Sequence, residues 1–225
     1  MVTSNVIHRV FRIRSGNSRG TGFTIDVGDR QYLVTARHVV QGLSGEGQIG
    51  LFANGTWLPT LARLVGHAPG DVDVSVLALD RPITPPTLPM DASMEGLIYG
   101  QDVFFLGFPY DLLGRIILGS EGYPLPFVKK ATVSLFDSRV IYLDGHNNSG
   151  FSGGPVVFPQ TGKNEYRVAG VVSGYVERPE PVFDGEHKTP LVYQYNTGII
   201  VAHNIKAALD LITLNPIGCA LGDSG

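Results

Sequence analysis

Ser149-Gly150-Phe151-Ser152-Gly153-Gly154-Pro155-Val156-Val157 is a run of small residues that leads straight into a strand pattern. Gly150, Gly153 and Gly154 lack a Cβ, so the backbone can fold tightly around Ser152 and leave its hydroxyl and the neighbouring amides open to a ligand. Alone, the segment reads equally well as a Gly-Ser loop joining two strands and as a turn that presents a reactive serine. The rest of the chain decides between them.

The chain has 225 residues, 43% hydrophobic and 16% charged, with 29 Gly and 15 Pro. This length suits one large β domain or two small lobes with a core each, and the balance suits many short strands joined by turns. A net charge of −3 offers no broad basic field, which argues against nucleic acid or an anionic membrane as the main partner. Arg9, Arg12, Arg14 and Arg19 cluster near the start but alternate with apolar residues, and read as the solvated face of a strand. The single cysteine, Cys219, excludes an internal disulfide and a Cys-rich metal site. It follows the last regular element, and its thiol is expected to have no role. No apolar run approaches the roughly 18 residues of a membrane span, so no membrane insertion is expected. Arg9 and Arg12 also interrupt the start before a signal-peptide stretch can form. A cytoplasmic location is the default expectation, with secretion open if a leader has been removed.

The stretch Val6–Ile13 alternates loosely and breaks at Ser15-Gly16-Asn17, as a strand and turn do. Residues 20–27 and 31–36 flank Gly28-Asp29 as a hairpin, and the second strand delivers His38 at its end. Short strands are expected near 49–52 and 56–65, and another over 71–79. The prolines at 82, 85, 86 and 89 bar a central strand and mark a linker. The division expected is therefore 1–92 as an N-terminal β-barrel and 93–225 as a C-terminal β-barrel with a terminal helix over 204–214. Strands are expected at 102–109, 131–136, 140–143, 155–158, 166–172 and 193–201. Between them, Leu112, Leu113, Ile116, Ile117 and Leu118 read as extra packing or as a lid loop. Asn204 is placed to cap a helix whose Ile205, Ala208, Leu209 and Ile212 form one stripe.

Three features bear on chemistry together: His38 at a strand end, Asp73 near a strand start and Ser152 in the glycine turn. A serine hydroxyl needs a base to become nucleophilic, imidazole suits that exchange near neutral pH, and a carboxylate behind the ring can orient it. Gly20-Thr21-Gly22-Phe23, Val34-Thr35-Ala36-Arg37-His38-Val39-Val40, Asp73-Val74-Ser75-Val76-Leu77, Gly107-Phe108-Pro109 and Gly150-Phe151-Ser152-Gly153-Gly154-Pro155 stand in the order seen in chymotrypsin-fold serine peptidases. The chain resembles stand-alone bacterial trypsin-like peptidases and the protease domain of the high-temperature-requirement family, from about Gly20 to the helix near Leu214. Five motifs in order are far more specific than any one of them.

The resemblance implies an all-β fold of two six-stranded antiparallel β-barrels, with a C-terminal helix and a cleft between the barrels. It implies a serine endopeptidase that forms an acyl-enzyme on Ser152, with His38 as general base and Asp73 as orienting acid. The amides of Gly150 and Ser152 would form the oxyanion hole, and Ser173 would support the acid. Val172, Ser173, Gly174 and Tyr175 would pair with an extended polypeptide substrate. His146, at the pocket base by spacing, and Gly198 would help to line the pocket before the scissile bond. With no acidic residue at that base and Tyr175 near its entrance, a small or aliphatic side chain is expected there, with an acidic or amide side chain read by His146 as the alternative. No metal and no organic cofactor are implied, and any protein partner or regulator is unknown.

The chain departs from the pattern at Arg37, where a small residue is common, and at Phe151, where Asn or Asp is common; Phe151 either covers the groove edge or packs inside. No peptide-binding domain follows the helix, so regulation by one is not expected. Three other readings stay open. Gly150-Phe151-Ser152-Gly153-Gly154 also satisfies the nucleophile elbow of α/β-hydrolases, with Asp184 and His187 or His203 as partners, but that elbow needs a helix where this chain has Pro155-Val156-Val157. Asp71 competes with Asp73. A catalytically inactive scaffold of the same fold that binds peptides would carry the same motifs.

Overall fold

In a computed structural model, residues 2–112, 122–160, 162 and 165–222 are described. A helical turn α1 (Ser4–Ile7) precedes β1 (Val10–Ser15), β2 (Ser18–Val27) and β3 (Arg30–Thr35). The one-turn helix α2 (Arg37–Val40) follows, then β4 (Glu46–Ala53), β5 (Thr56–His67), β6 (Ser75–Leu79) and the two-residue β7 (Asp91–Ala92). The second half holds β8 (Asp102–Gly107), β9 (Phe127–Phe136), β10 (Val140–Asp144) and β11 (Pro155–Pro159). The long β12 (Tyr166–Asp184) and β13 (His187–Asn204), helix α3 (Lys206–Leu214) and β14 (Cys219–Ala220) complete the chain.

The strands form two antiparallel barrels, as expected. β3, β2, β1, β4, β5 and β6 run in that order, and a β3–β6 pairing closes the ring. β8, β9, β10, β13, β12 and β11 form the second ring, closed by β11–β12. The short β14 continues the first sheet along β3, and β7 adds in parallel to β12.

Alternation along the strands sorts side chains into separate cores. In β3, Leu33 points into the first barrel with Phe11, Ile13, Leu51 and Leu77. Its neighbours Tyr32 and Val34 point the other way, into a layer shared with Val168 and Val171 of the second barrel and Ile205 and Ala208 beside and on α3. The second barrel is filled by Phe105, Phe151, Phe158, Val172 and Ile200 among others. Helix α3 thus fastens one barrel to the other.

Several local expectations are corrected. The strand over Val6–Ile13 starts only at Val10, because Val6 N and Ile7 N both donate to Thr3 O and close a helical turn. Asn5 Nδ2 ties that turn to Pro89 O at 3.1 Å, and Val6 is buried. The arginines are not all solvated. Arg9 is fully buried, with Asp26 Oδ2 at 2.5 Å and Leu88 O at 2.6 Å as acceptors. Arg12 is buried between the Phe52 and Trp57 rings, 4.8 Å from each centroid. A buried guanidinium is tolerable only when paired and hydrogen-bonded in this way.

The strand expected over 71–79 begins at Ser75, because Ala68 N donates to Val74 O and holds the preceding residues in a loop. Ile205, not Asn204, occupies the N-cap position of α3, and Asn204 Oδ1 accepts from Lys206 N at 2.9 Å. Cys219 lies in β14 against Gln31, so it is part of a strand after all. β12 and β13 extend well past the expected 166–172 and 193–201. Leu113, Ile116, Ile117 and Leu118 lie outside the described residues; Leu112 is exposed.

Candidate active site

His38 sits in α2, just after the end of β3, in a turn anchored by the buried Val39 and Val40 that follow it. Its backbone N donates to Asp73 Oδ1 at 2.9 Å, and its ring Nδ1 lies 2.7 Å from Asp73 Oδ2. An ionised carboxylate only accepts, so Nδ1 carries the proton shared with Asp73. Asp73 is anchored between the buried Val72 and Val74, just before β6. Burial pushes its pKa up, but hydrogen bonds from His38 and Ser173 and the charge interaction with His38 outweigh this and hold it below the usual carboxylate range. Ser173 supplies its hydroxyl to Asp73 Oδ2 at 2.6 Å. Asp71, the rival acid, is exposed and pairs with Arg139 of the second barrel instead.

The Ser152 turn is fastened from both barrels. Thr21 of β2 receives most of the motif contacts: its N donates to Ser152 O at 2.8 Å, and its hydroxyl donates to Gly150 O at 2.7 Å and accepts from Phe108 N at 3.3 Å. Thr35 Oγ1 in turn donates to Thr21 O at 2.8 Å. Gly153 N donates to Val172 O, and Val172 N donates to Gly154 O. Gly153 has φ +86°, and a Cβ there would lie 2.1 Å from Thr21 O. Gly150 has φ +103°, and its Cβ would lie 2.2 Å from Phe108 O. Both positions therefore exclude any side chain.

The hydroxyl of Ser152 donates to Ser173 O at 3.0 Å, and among the described residues no hydrogen bond joins it to His38. The amides of Gly150 and Ser152 likewise have no acceptor among the described residues. Two donors beside a serine hydroxyl and a nearby imidazole can polarise a carbonyl and move a proton.

The residues expected around the substrate part company. Ser173, Gly174 and Tyr175 lie on β12 where it leaves the Ser152 turn, and are partly accessible. The Val172 side chain is fully buried in the second barrel, so only its backbone reaches the turn. His146 is exposed, and its carbonyl accepts from Lys129 Nζ. Gly198, at φ +78°, bonds through its carbonyl to Gly145 N at 2.9 Å. Phe151 is fully buried edge-on against Phe105, which makes it core packing.

Sequence reasoning missed the groups that hold this wall together. Asn147 is buried; its Nδ2 donates to Gly174 O at 3.1 Å and its carbonyl accepts from Asn196 Nδ2 at 2.9 Å. Asn148 Nδ2 reaches the Tyr110 hydroxyl at 3.1 Å, and Tyr110 N donates to Ser149 O. Tyr110 and Asp111 both have positive φ, 50° and 61°, a strained pair for residues with side chains. Asp111 is gripped by Arg12 and by Arg19 at 2.6 Å, both from the first barrel. No motif marks these residues; the run Asn147-Asn148 beside a glycine turn was the one available signal. Of the α/β-hydrolase partners, Asp184 and His187 pair at the far end of the β12–β13 hairpin, away from the turn, while His203 pairs with Val171 inside the second barrel. Among the described residues, no group of three or more His, Cys, Asp or Glu is placed to share a metal ion. Nor is any described helix long and apolar enough to cross a membrane.

Comparison with solved structures finds similar folds. The Rv3671c protease of M. tuberculosis, in its inactive form, is 22% identical with a TM-score of 0.59, over 93% of this chain and 90% of that one. The serine endoprotease from Yersinia pestis is 18% identical with a TM-score of 0.60, over 95% and 67%. The HtrA-type protease AlgW, solved with a tripeptide, is 21% identical with a TM-score of 0.60, over 93% and 60%. At such identities the likeness is one of fold. No curated protein sequence matches significantly. The trypsin-like peptidase domain family matches residues 20–171, which span the five motifs up to β12, and the chain belongs to that family.

Proposed function

We propose that the chain is a serine endopeptidase in which Ser152 forms the acyl-enzyme, His38 is the general base and Asp73 orients and stabilises the imidazolium. The observation that carries this reading is the Asp73 carboxylate, which accepts from His38 Nδ1 at 2.7 Å and from Ser173 Oγ at 2.6 Å. A carboxylate so satisfied stays ionised, keeps the proton on Nδ1 and turns Nε2 outward as a base. Ser152 Oγ attacks the scissile carbonyl carbon while its proton passes to Nε2. The oxyanion is met by the amides of Gly150 and Ser152. The C–N bond then breaks, Nε2 gives its proton to the leaving amine, and water repeats the sequence to release the acid.

A polypeptide substrate is supported by the free edge of β12 at Ser173–Tyr175, suited to pairing with an extended chain, and by the tripeptide held by the fold-related AlgW. A substrate amide donating to Ser173 O would displace Ser152 Oγ from that carbonyl and free it to turn to His38. For the residue before the scissile bond we retain a small or aliphatic side chain, with Tyr175 narrowing the entrance. A peptide-library profile dominated by Lys or Arg would overturn that preference.

The second reading, an inactive scaffold that binds peptides, is favoured by one observation: Ser152 bonds to Ser173 O and not to His38. Covalent labelling with a fluorophosphonate separates the two. The peptidase reading expects label on Ser152 that is lost in Ser152→Ala; wild-type protein that neither labels nor cleaves peptides supports the inactive scaffold.

A further inference from the structure

Beyond Tyr175, the β12–β13 hairpin leaves the second barrel and continues as a two-stranded ribbon to the turn at Gly185. Nearly every residue from 177 to 195 is exposed, on both faces. A lone two-stranded ribbon is marginal in water unless a face is covered, yet this one presents Leu191, Tyr193 and Tyr195 to solvent at 63%, 51% and 48% exposure. Its register sets Arg178 opposite Tyr195 and Glu180 opposite Tyr193. Directly opposed residues share a face, and so do residues two apart, so these four side chains lie together. Pro179, Pro181 and Pro190 deprive the ribbon edges of donors, which disfavours strand addition and leaves the face as the docking surface.

We propose that this face is a homodimer interface, in which a second copy of the chain docks with its ribbon antiparallel. A two-fold contact requires a self-complementary patch. Along β12 the face reads Arg178 then Glu180, and neither makes an ion pair within the chain among the described residues. Reversing the ribbon about a two-fold midway between them sets each Arg178 against Glu180 of the other copy and each Tyr193 against Tyr195. Half-exposed tyrosines, Leu191 and the stems of the charged pair offer on the order of 500 Å² per copy. That is below the standard interface of about 800 Å² per partner, so the dimer is weak and depends on concentration.

The test uses the full chain as Ser152→Ala, which removes the proposed nucleophile and makes the result independent of peptidase activity. Sedimentation velocity over a dilution series should show twice the monomer mass at high concentration and the monomer at low. Tyr193→Ser with Tyr195→Ser should raise the dissociation constant at least ~10-fold, about 1.4 kcal/mol. Arg178→Glu and Glu180→Arg should each weaken association, and the two combined should restore it. A chain that is monomeric at every concentration overturns the proposal, and so does a folded charge-swap pair that fails to restore association. Ribbon variants of the active chain that raise KM for peptides without changing mass would assign the face to substrate and also overturn it.

Discussion

Ser173 Oγ lies 2.6 Å from Asp73 Oδ2, the same oxygen that His38 Nδ1 approaches at 2.7 Å. One carboxylate oxygen therefore receives a donor from each barrel. Replacing Ser173 with alanine leaves the β12 backbone proposed to pair with substrate in place and removes only this second donor. A hydrogen bond to a charged group contributes about 1.5–3 kcal/mol. We expect Ser173→Ala to lower kcat roughly ten-fold or more with KM little changed, as measured on a peptide substrate.

Asp73 is held below its ordinary value of 3.8 in the folded state. A carboxylate with a depressed pKa contributes stability that is present above the unfolded value and is lost as pH falls through the folded value. Asp73→Asn lacks this contribution. The melting temperature of the wild type should therefore exceed that of Asp73→Asn at neutral pH, with the gap narrowing once pH falls below 3.8. A gap that stays constant with pH, followed by calorimetry, would count against an ionised, hydrogen-bonded Asp73.

Thr21 is fully buried, and its hydroxyl bonds both Gly150 O and Phe108 N. Thr21→Val keeps the shape but leaves a buried N–H and a partly buried carbonyl without that partner. Each such group costs about 1–3 kcal/mol. Urea denaturation should show a loss of that order, and fluorophosphonate labelling of Ser152 should slow, because Gly150 belongs to the proposed oxyanion loop.

Asp111 holds a positive φ between two arginines of the other barrel, next to Tyr110, which bonds Ser149 O. Asp111→Gly relieves the backbone strain and breaks the bridge. The melting temperature should fall, because the buried Arg12 loses its ion partner, whereas the exposed Arg19 pair adds little. If the bridge also positions the Ser149–Gly150 turn, kcat should fall at a temperature where the variant is folded; an unchanged kcat there would reduce the bridge to a structural contact.

The ordered motifs were legible because each is local: a glycine with φ +86° at 153, or a serine before two glycines, leaves its mark within a few residues. The prolines of 82–89 likewise marked a stretch without strands between β6 and β7, since they cannot join a ladder. The ribbon of β12 and β13 escaped notice because its exposed faces impose no alternation, and Pro179, Pro181 and Pro190 look like breakers until they are seen on free edges. Arg9 and Arg12 looked solvated because their compensating partners, Asp26 and Leu88 for one and Asp111 for the other, are distant in sequence.

From sequence alone came the family, the order of its motifs and the identity of His38, Asp73 and Ser152 as candidates, because those depend on residue type and local backbone freedom. Tertiary structure alone set Asp73 against His38 and Asp71 against Arg139, contacts that close across long stretches of chain. It alone brought Thr21 and Tyr110 to the serine turn and tied Asn147 to Gly174 of β12, through hydrogen bonds that close across many residues. It also directed Ser152 Oγ to Ser173 O, because a hydroxyl rotor follows whichever acceptor the assembled barrels bring within reach.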